Sequence, residues 1–450
     1  MEPFRYHVYV CDQKKPDGAP CCSARGSQKI IDALRAEIAK HSLGDTVQVT
    51  TCGSLGLCGR GPNMVVYPDG IWYSGMTPED VAEIVRMHFG SGLIVERLAN
   101  RDGAILRAEI NDNKRKYLAA LKAKDESGLL PDDLNEAIRA FQPSRALLTA
   151  IELDVFTVVG TGATAAEVAA KIPADPRATE MLLNALVALN MLTKHDGVFR
   201  NSPAAARYFV AGSPDDARAA MMHTVHLWRN WSTLTRAVRA GTAVTSEETR
   251  GEDWTATFIA AMDYNAKGRA ALIANAVDAA SVRRMLDIGG GSGACSIACA
   301  RANANLHADI LDLPAVVPIT QQYIDAAGLA DRVHPRAGDL RSDAFGKDYD
   351  LVLISSVCHM LGEAENRVLL AKAFEALAPG GRLVIQDFIL DPDKTGPRKA
   401  ALFSLHMLVN TAHGSAYSAE EYSRWLTEAG FPNVERVRLP GPTGLMIGKK

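Results

Sequence analysis

Two groups of residues have types and spacings that could do chemistry. The first is the glycine-rich stretch Leu286-Asp287-Ile288-Gly289-Gly290-Gly291-Ser292-Gly293, which runs directly into Ala294-Cys295-Ser296-Ile297-Ala298-Cys299-Ala300. Glycines at 289, 291 and 293 let the backbone turn sharply and let a ligand approach without meeting a Cβ. A helix starting there offers its unpaired N–H groups and the positive end of its dipole to that ligand. A nucleotide-like guest is expected. The second group is five cysteines, Cys11, Cys21, Cys22, Cys52 and Cys58, out of eight in the chain. In a large chain such clustering suits a cofactor site in the cytoplasm better than a disulfide scaffold.

The elements that must position these residues follow from the patterning. From residue 281 onwards strands alternate with helices, with strands over 284–288, 306–312, 333–339, 349–355 and 382–387 and two more pieces near 434–439 and 444–448. That alternation means an open, mainly parallel sheet covered on both faces, with ligands beyond the carboxyl ends of its strands. The first hundred residues read strand, helix, strand, hairpin, helix, an order close to a thioredoxin-like fold. Thr77-Pro78-Glu79-Asp80 opens its last helix with an N-cap, a proline and acids in the first turn. A charged linker helix is expected over 101–132 and a helical region over 133–250, whose helix-helix-helix-hairpin order is winged-helix-like. The helix that would enter a DNA groove is leucine- and alanine-rich, with Arg177 alone near its start, and lacks side chains for base edges and phosphates. An apolar module of this kind more plausibly builds a homodimer.

The bulk numbers agree. At 450 residues the chain needs two or three domains, and a net charge of −3 gives no basic surplus for nucleic acid. No run of eighteen uncharged apolar residues offers a membrane span, and the N-terminus lacks the basic and apolar regions of a signal peptide, so a cytoplasmic protein is expected.

With Leu57-Cys58-Gly59-Arg60-Gly61-Pro62 and the hairpin Val65–Tyr73, the cysteine pattern of residues 1–100 resembles the thioredoxin-like [2Fe–2S] ferredoxins. The resemblance implies Cys11, Cys22 and Cys58 as ligands. It places the fourth ligand at Ser54, so Cys52, beside Gly53, is the expected substitute; Cys21 is a bystander. Four thiolates suit a [2Fe–2S] rhomb, and the paired Cys-x₂-Cys knuckles usual for zinc are missing. A domain that has lost its cluster is the alternative.

The glycine loop by itself also satisfies a dinucleotide fingerprint, Gly289-x-Gly291-x-x-Ala294, with an acid about twenty residues on. In company with Asp287, Asp312, Gly338-Asp339 and Pro379-Gly380-Gly381, residues 251–450 resemble the class I methyltransferases. That implies S-adenosylmethionine as cofactor, with its methionyl part at Gly289, Gly291 and Gly293 beside Asp287, its ribose on Asp312 and its adenine at Asp339 and Leu340. Within that class, residues 133–450 are similar to the small-molecule O-methyltransferases with an N-terminal dimerisation domain. Their general base falls on His359 in Val357-Cys358-His359-Met360, and the acid orienting it falls on Asp387. An imidazole held by a carboxylate has a fixed tautomer, suited to removing a phenolic proton. Met262 and Met407 fall where the group clamps a flat substrate. Two departures weaken the match: Met360-Leu361 replaces an Asp-Trp after the histidine, and Ala416 replaces a second acid. Trp228, Trp231, His223 and His226 are candidates for the roof of the pocket, with no role assigned.

The resemblances together imply methyl transfer to a hydroxylated small molecule (aromatic, polyene or tetrapyrrole-like), with the cluster sensing redox state or docking a redox partner protein. The alternative is a redox enzyme, a hydroxylase or decarboxylase on a methyltransferase scaffold, to which the cluster would pass electrons.

Overall fold

The computed structural model describes residues 3–15, 20–126, 128, 130–244 and 254–450, and the chain divides into two compact units, Met1–Ala140 and Phe141–Lys450. The expected boundary at residue 250 lies outside the described residues. Among those described, no helix is long and apolar enough to cross a membrane.

In the first unit β1 (Tyr6–Cys11), α1 (Ser27–Lys40) and β2 (Val47–Cys52) form a parallel βαβ unit, and β3 (Asn63–Tyr67), β4 (Ile71–Ser74), α2 (Pro78–Ile84) and β5 (Ala99–Asn100) complete a sheet of order β2-β1-β3-β4-β5. β1 runs parallel to β2 and antiparallel to β3. Ile30, Ile31, Leu34 and Ile38 form the helical stripe read from the sequence, and all are buried against Val8, Val10 and Val66. Thr77 caps α2 in a capping box with Asp80, worth about 1 kcal/mol. Two helices follow, α3 (Gly103–Glu126) and α4 (Asp132–Arg139). α3 is held to this unit where the Asn113 amide donates to the Gly56 carbonyl at 2.8 Å.

The second unit opens with α5 (Phe141–Glu152), α6 (Val155–Val159), β6 (Ala163–Thr164), α7 (Ala165–Lys171), α8 (Pro176–Ala188), β7 (Leu192–His195), β8 (Val198–Asn201) and α9 (Pro203–Tyr208). β7 and β8 are the hairpin expected near Lys194, with β6 on its edge. Thr164 and Asp175 cap α7 and α8 through side-chain bonds to Glu167 N and Ala178 N. Helices α10 (Arg218–Trp231), α11 (Leu234–Ala240), α12 (Trp254–Lys267) and α13 (Ala270–Ala276) lead to the large sheet.

That sheet contains β9 (Arg284–Ile288), β10 (His307–Asp312), β11 (Val333–Ala337), β12 (Tyr349–Ser355) and β13 (Leu377–Asp387), with α14 (Ala294–Ala302), α15 (Val317–Ala327) and α16 (Glu363–Ala376) between them. After β14 (Ile389–Leu390), α17 (Arg398–Asn410), β15 (Tyr417–Ser418) and α18 (Ala419–Glu428), it closes with β16 (Asn433–Arg438) and β17 (Gly444–Lys449). The order is β11-β10-β9-β12-β13-β17-β16: the first five strands are parallel, and β17 runs antiparallel to both neighbours. This is a Rossmann-like α/β sheet. Successive residues feed opposite cores, Leu286 and Ile288 to one face and Met285 and Ile310 to the other. The strands are therefore continuously apolar, as parallel strands buried on both faces must be. β13 is longer than the sequence suggested because it takes in Pro379-Gly380-Gly381; a Cβ at Gly381 would lie 2.8 Å from the Tyr349 carbonyl. The chain reverses direction across the sheet between β10 and β12, on either side of β9. A ligand crevice opens at such a point, beyond the strands' carboxyl ends.

Candidate active site

The crevice is bounded by the loop after β9. Gly289, Gly291 and Gly293 all have positive φ, at 70°, 58° and 76°. At Gly289 a Cβ would stand 2.6 Å from Val357 Cγ2, and at Gly290 it would stand 2.8 Å from Ile310 Cγ2 and 2.9 Å from the Asp287 carboxylate. Gly289, Gly290 and Gly293 are packed too closely to carry side chains, which leaves bare backbone there.

Three acids face this loop. Asp287, on β9, is buried; its Oδ2 accepts from Ser296 Oγ at 2.7 Å, while Oδ1 is buried with no partner. Burial pushes its carboxyl up to about 7. Asp312, at the end of β10, accepts from Gly291 N at 2.8 Å and from Leu313 N at 2.8 Å; burial raises its carboxyl. Asp339, past β11, accepts from Arg341 N at 2.8 Å and lies beside Leu340. The three acids, Leu340 and the loop line one cavity of about 620 Å³. An orphaned carboxylate oxygen, a bare glycine cradle and a further carboxylate at the next strand end fit the ammonium, methionyl chain and ribose diol of S-adenosylmethionine.

A second cavity of about 630 Å³ shares Trp254, Phe258, Met262, Arg269, Ser356 and Met360 with the first. His359 stands in its wall, in the short turn after β12. Its Nδ1 lies 2.6 Å from Asp387 Oδ1, and its backbone N donates to Asp387 Oδ2 at 3.1 Å. Asp387, the last residue of β13, is fully buried and also accepts from Phe388 N at 2.8 Å and Tyr422 Oη at 3.2 Å. With the carboxylate on Nδ1, that nitrogen carries the proton and Nε2 is the basic one. Ala416 supplies no second acid, and Tyr422 on α18 with two backbone amides holds the carboxylate that holds the imidazole. The His359 ring also meets the edge of Phe403, with centroids 4.8 Å apart.

Met262 and Met407 both line this cleft. Of the four unassigned roof residues, His223 lines it, and burial takes its imidazole down to about 4. Trp231 reaches a cleft residue through its indole N–H, which donates to His406 Nδ1 at 3.1 Å. His226 packs on Trp254, and Trp228 lies under the Arg145 guanidinium. Sequence reasoning missed Arg269, His406 and Tyr422. Arg269 lines both cavities, bonds to Ser356 Oγ at 3.3 Å through Nη2 and keeps a buried Nε without a partner; burial lowers its pKa. An arginine directly before the small-residue helix α13 was the available signal.

The cysteine reading needs correction. Cys11 and Cys22 hydrogen-bond to each other: the bond from Cys22 draws the Cys11 thiol down to about 6 and raises that of Cys22. Cys22 Sγ also accepts from Asn63 Nδ2 at 3.3 Å. Cys52 pairs with Cys11 in strand register, its thiol raised by burial and by the charge of Cys11, and Cys58 Sγ lies 3.3 Å from Ser54 Oγ. Among the described residues, no group of three or more His, Cys, Asp or Glu side chains is placed to hold a metal ion. Among the described residues the expected ligand set Cys11, Cys22, Cys52 and Cys58 is thus not assembled as a metal site, and a [2Fe–2S] cluster is without support.

Comparison with known proteins matches residues 135–211 and 229–432 to two family models. The first is the O-methyltransferase dimerisation domain and the second the O-methyltransferase domain. The 3-hydroxy-5-methyl-1-naphthoate 3-O-methyltransferase of Streptomyces sahachiroi is 34% identical over 334 residues, 71% of this chain and 95% of its own. The human N-acetylserotonin methyltransferase, solved in complex with S-adenosylmethionine, superposes with a TM-score of 0.65 at 25% identity, over 72% of this chain and 99% of its own. An O-methyltransferase family protein from Burkholderia thailandensis gives 0.66 at 29% identity, over 72% and 99%.

Proposed function

This chain belongs to the S-adenosylmethionine-dependent O-methyltransferases with a dimerisation domain, and from that premise we propose that it methylates a hydroxyl group on an aromatic small molecule, with His359 as general base. The observation that carries the reading is the 2.6 Å His359–Asp387 bond in a cleft that shares its wall with the glycine-loop cavity. Flat, apolar lining by Phe388, Phe403, Met262 and Met407 suits an aromatic ring. The naphthoate and serotonin derivatives named for the relatives are ring-borne hydroxyls of this kind.

When bound, S-adenosylmethionine supplies an electrophilic methyl group on a sulfonium. The chain's own residues do the rest. Asp287 would take the methionyl ammonium on its free Oδ1, Arg269 the methionyl carboxylate, Asp312 the ribose hydroxyls, and Asp339 with Leu340 the adenine edge. His359 Nε2 accepts the hydroxyl proton as the oxygen becomes a nucleophile, and Asp387 stabilises the resulting imidazolium. Proton removal contributes about 10²–10⁴ in rate. Holding the hydroxyl in line contributes about 7–11 kcal/mol at most.

For the first unit we infer a thioredoxin-like fold, supported by its β2-β1-β3-β4-β5 order with one parallel and two antiparallel pairings around β1 and β3. The dimerisation domain supports a homodimer.

The test is incubation of the full chain with labelled S-adenosylmethionine and a panel of hydroxynaphthoates and hydroxyindoles, with products weighed by mass spectrometry. A gain of one methylene that is lost in His359→Ala supports the reading. A gain of one oxygen would replace it with a redox function.

A further inference from the structure

The acceptor cleft contains a second imidazole whose protonation state is set by its neighbours. His406, on α17, lines the same cavity as His359 and stacks on Phe403 at 5.4 Å. Its Nδ1 accepts from Trp231 Nε1 at 3.1 Å. An indole nitrogen can only donate, so Nδ1 must be the bare nitrogen of the ring. Asn410 points the same way. Its Nδ2 donates to the His406 carbonyl at 2.7 Å and lies 3.4 Å from His406 Nδ1, while its Oδ1 accepts from Asn230 Nδ2 at 2.6 Å. The carbonyl bond fixes which end of the Asn410 amide is the donor.

His406 is therefore a neutral imidazole with its proton on Nε2. Burial agrees: it takes the imidazole down to about 4, with His223 and His359 adding to the effect. Among the described residues Nε2 has no protein partner. The cleft onto which it faces is lined by Phe388, Phe403, Met407 and Pro442, with Asn265, Ser356 and Thr443 among its polar members. A ring N–H without a protein partner in a cavity wall is a donor that an acceptor on a ligand can take up.

We propose that His406 is a specificity-determining residue whose Nε2–H reads an acceptor oxygen, a carbonyl or carboxylate attached to the ring system that carries the reactive hydroxyl. The inference rests on the reading that this cleft takes a hydroxylated aromatic. It narrows that class to phenols with a second, hydrogen-bond-accepting oxygen. His359 would serve the hydroxyl that reacts and His406 the oxygen that does not.

The test is equilibrium binding to the full chain loaded with S-adenosylhomocysteine, followed by calorimetry. The probes are a hydroxynaphthoate, its methyl ester, and the naphthol lacking both. The ester separates His406 from Arg269, since a guanidinium would favour the carboxylate alone. The expected result is that ester and carboxylate both bind about tenfold or more tighter than the naphthol. His406→Phe keeps the ring and removes the donor, so it should bring the ester level with the naphthol without weakening the naphthol. His406→Gln restores a donor and should recover part of the preference, and Trp231→Phe should lose part of it. Equal binding of ester and naphthol by the unaltered chain would overturn the proposal. So would equal weakening of both by His406→Phe in protein that still binds S-adenosylhomocysteine. Failure of any phenol to be methylated would instead sink the proposed function, and the binding ratio would still judge His406.

Discussion

The two cavities of the second unit are built in opposite ways. The donor side is made by local chain geometry: one loop after β9, with an acid at the end of β10 and another past β11. The acceptor side is assembled by side chains from α10, α12, α17, α18 and the end of β13, none adjacent in sequence. A backbone site is specified by a short run of residues and tolerates little change. A side-chain site can be refitted piece by piece around a fixed His359–Asp387 pair.

That contrast is most easily broken at His359. His359→Ala should lower kcat by about 10²–10⁴ and leave cofactor affinity unchanged by calorimetry; parallel loss of both would show that the cavities are not separable. Gly290→Ala is the converse. Its Cβ would meet Ile310 and the Asp287 carboxylate within 3 Å, so cofactor affinity should fall tenfold or more and stability by about 1–3 kcal/mol, read from a thermal melt. Asp287 then gives the donor side a pH signature. Its carboxyl is raised to about 7 by burial, and only the charged form pairs with an ammonium. Cofactor affinity should therefore weaken as pH falls through 7, approaching about tenfold per unit well below it, and Asp287→Asn should flatten the slope.

Smaller effects sharpen the picture. Tyr422→Phe removes one of the four donors to Asp387, and a loss of about tenfold in kcat with little change in KM is expected. Cys52→Ser should leave the iron and sulfide content and the visible spectrum of anaerobically purified protein as they were, because the Cys52 thiol joins no group that could hold a metal. A change in either would place Cys52 in a cluster and require its thiol to turn inward.

The donor side was legible because its requirements are written in order along the chain: a glycine run after an apolar strand, then an acid at each following strand end. His359 and Asp387 were legible because they close neighbouring parallel strands, which brings their side chains over one crevice. Tyr422, Arg269 and His406 were not, since each acts through a contact between elements far apart in sequence. Nothing in residues 398–410 announces that a tryptophan from residue 231 will fix the tautomer of His406. The cysteines failed for a related reason. The resemblance put Cys11, Cys22 and Cys58 together with the position of Ser54, but could not show that Cys52 would leave Ser54 as the group facing Cys58.

The pairing of α10 with α17 bears on how such a cleft could be re-engineered. Asn230 and Trp231 sit side by side on one helix and meet Asn410 and His406, one turn apart on the other. A chimera that imports α17 from a relative without α10 would strand an amide and an indole N–H opposite mismatched partners. In this chain the two helices are therefore best exchanged together.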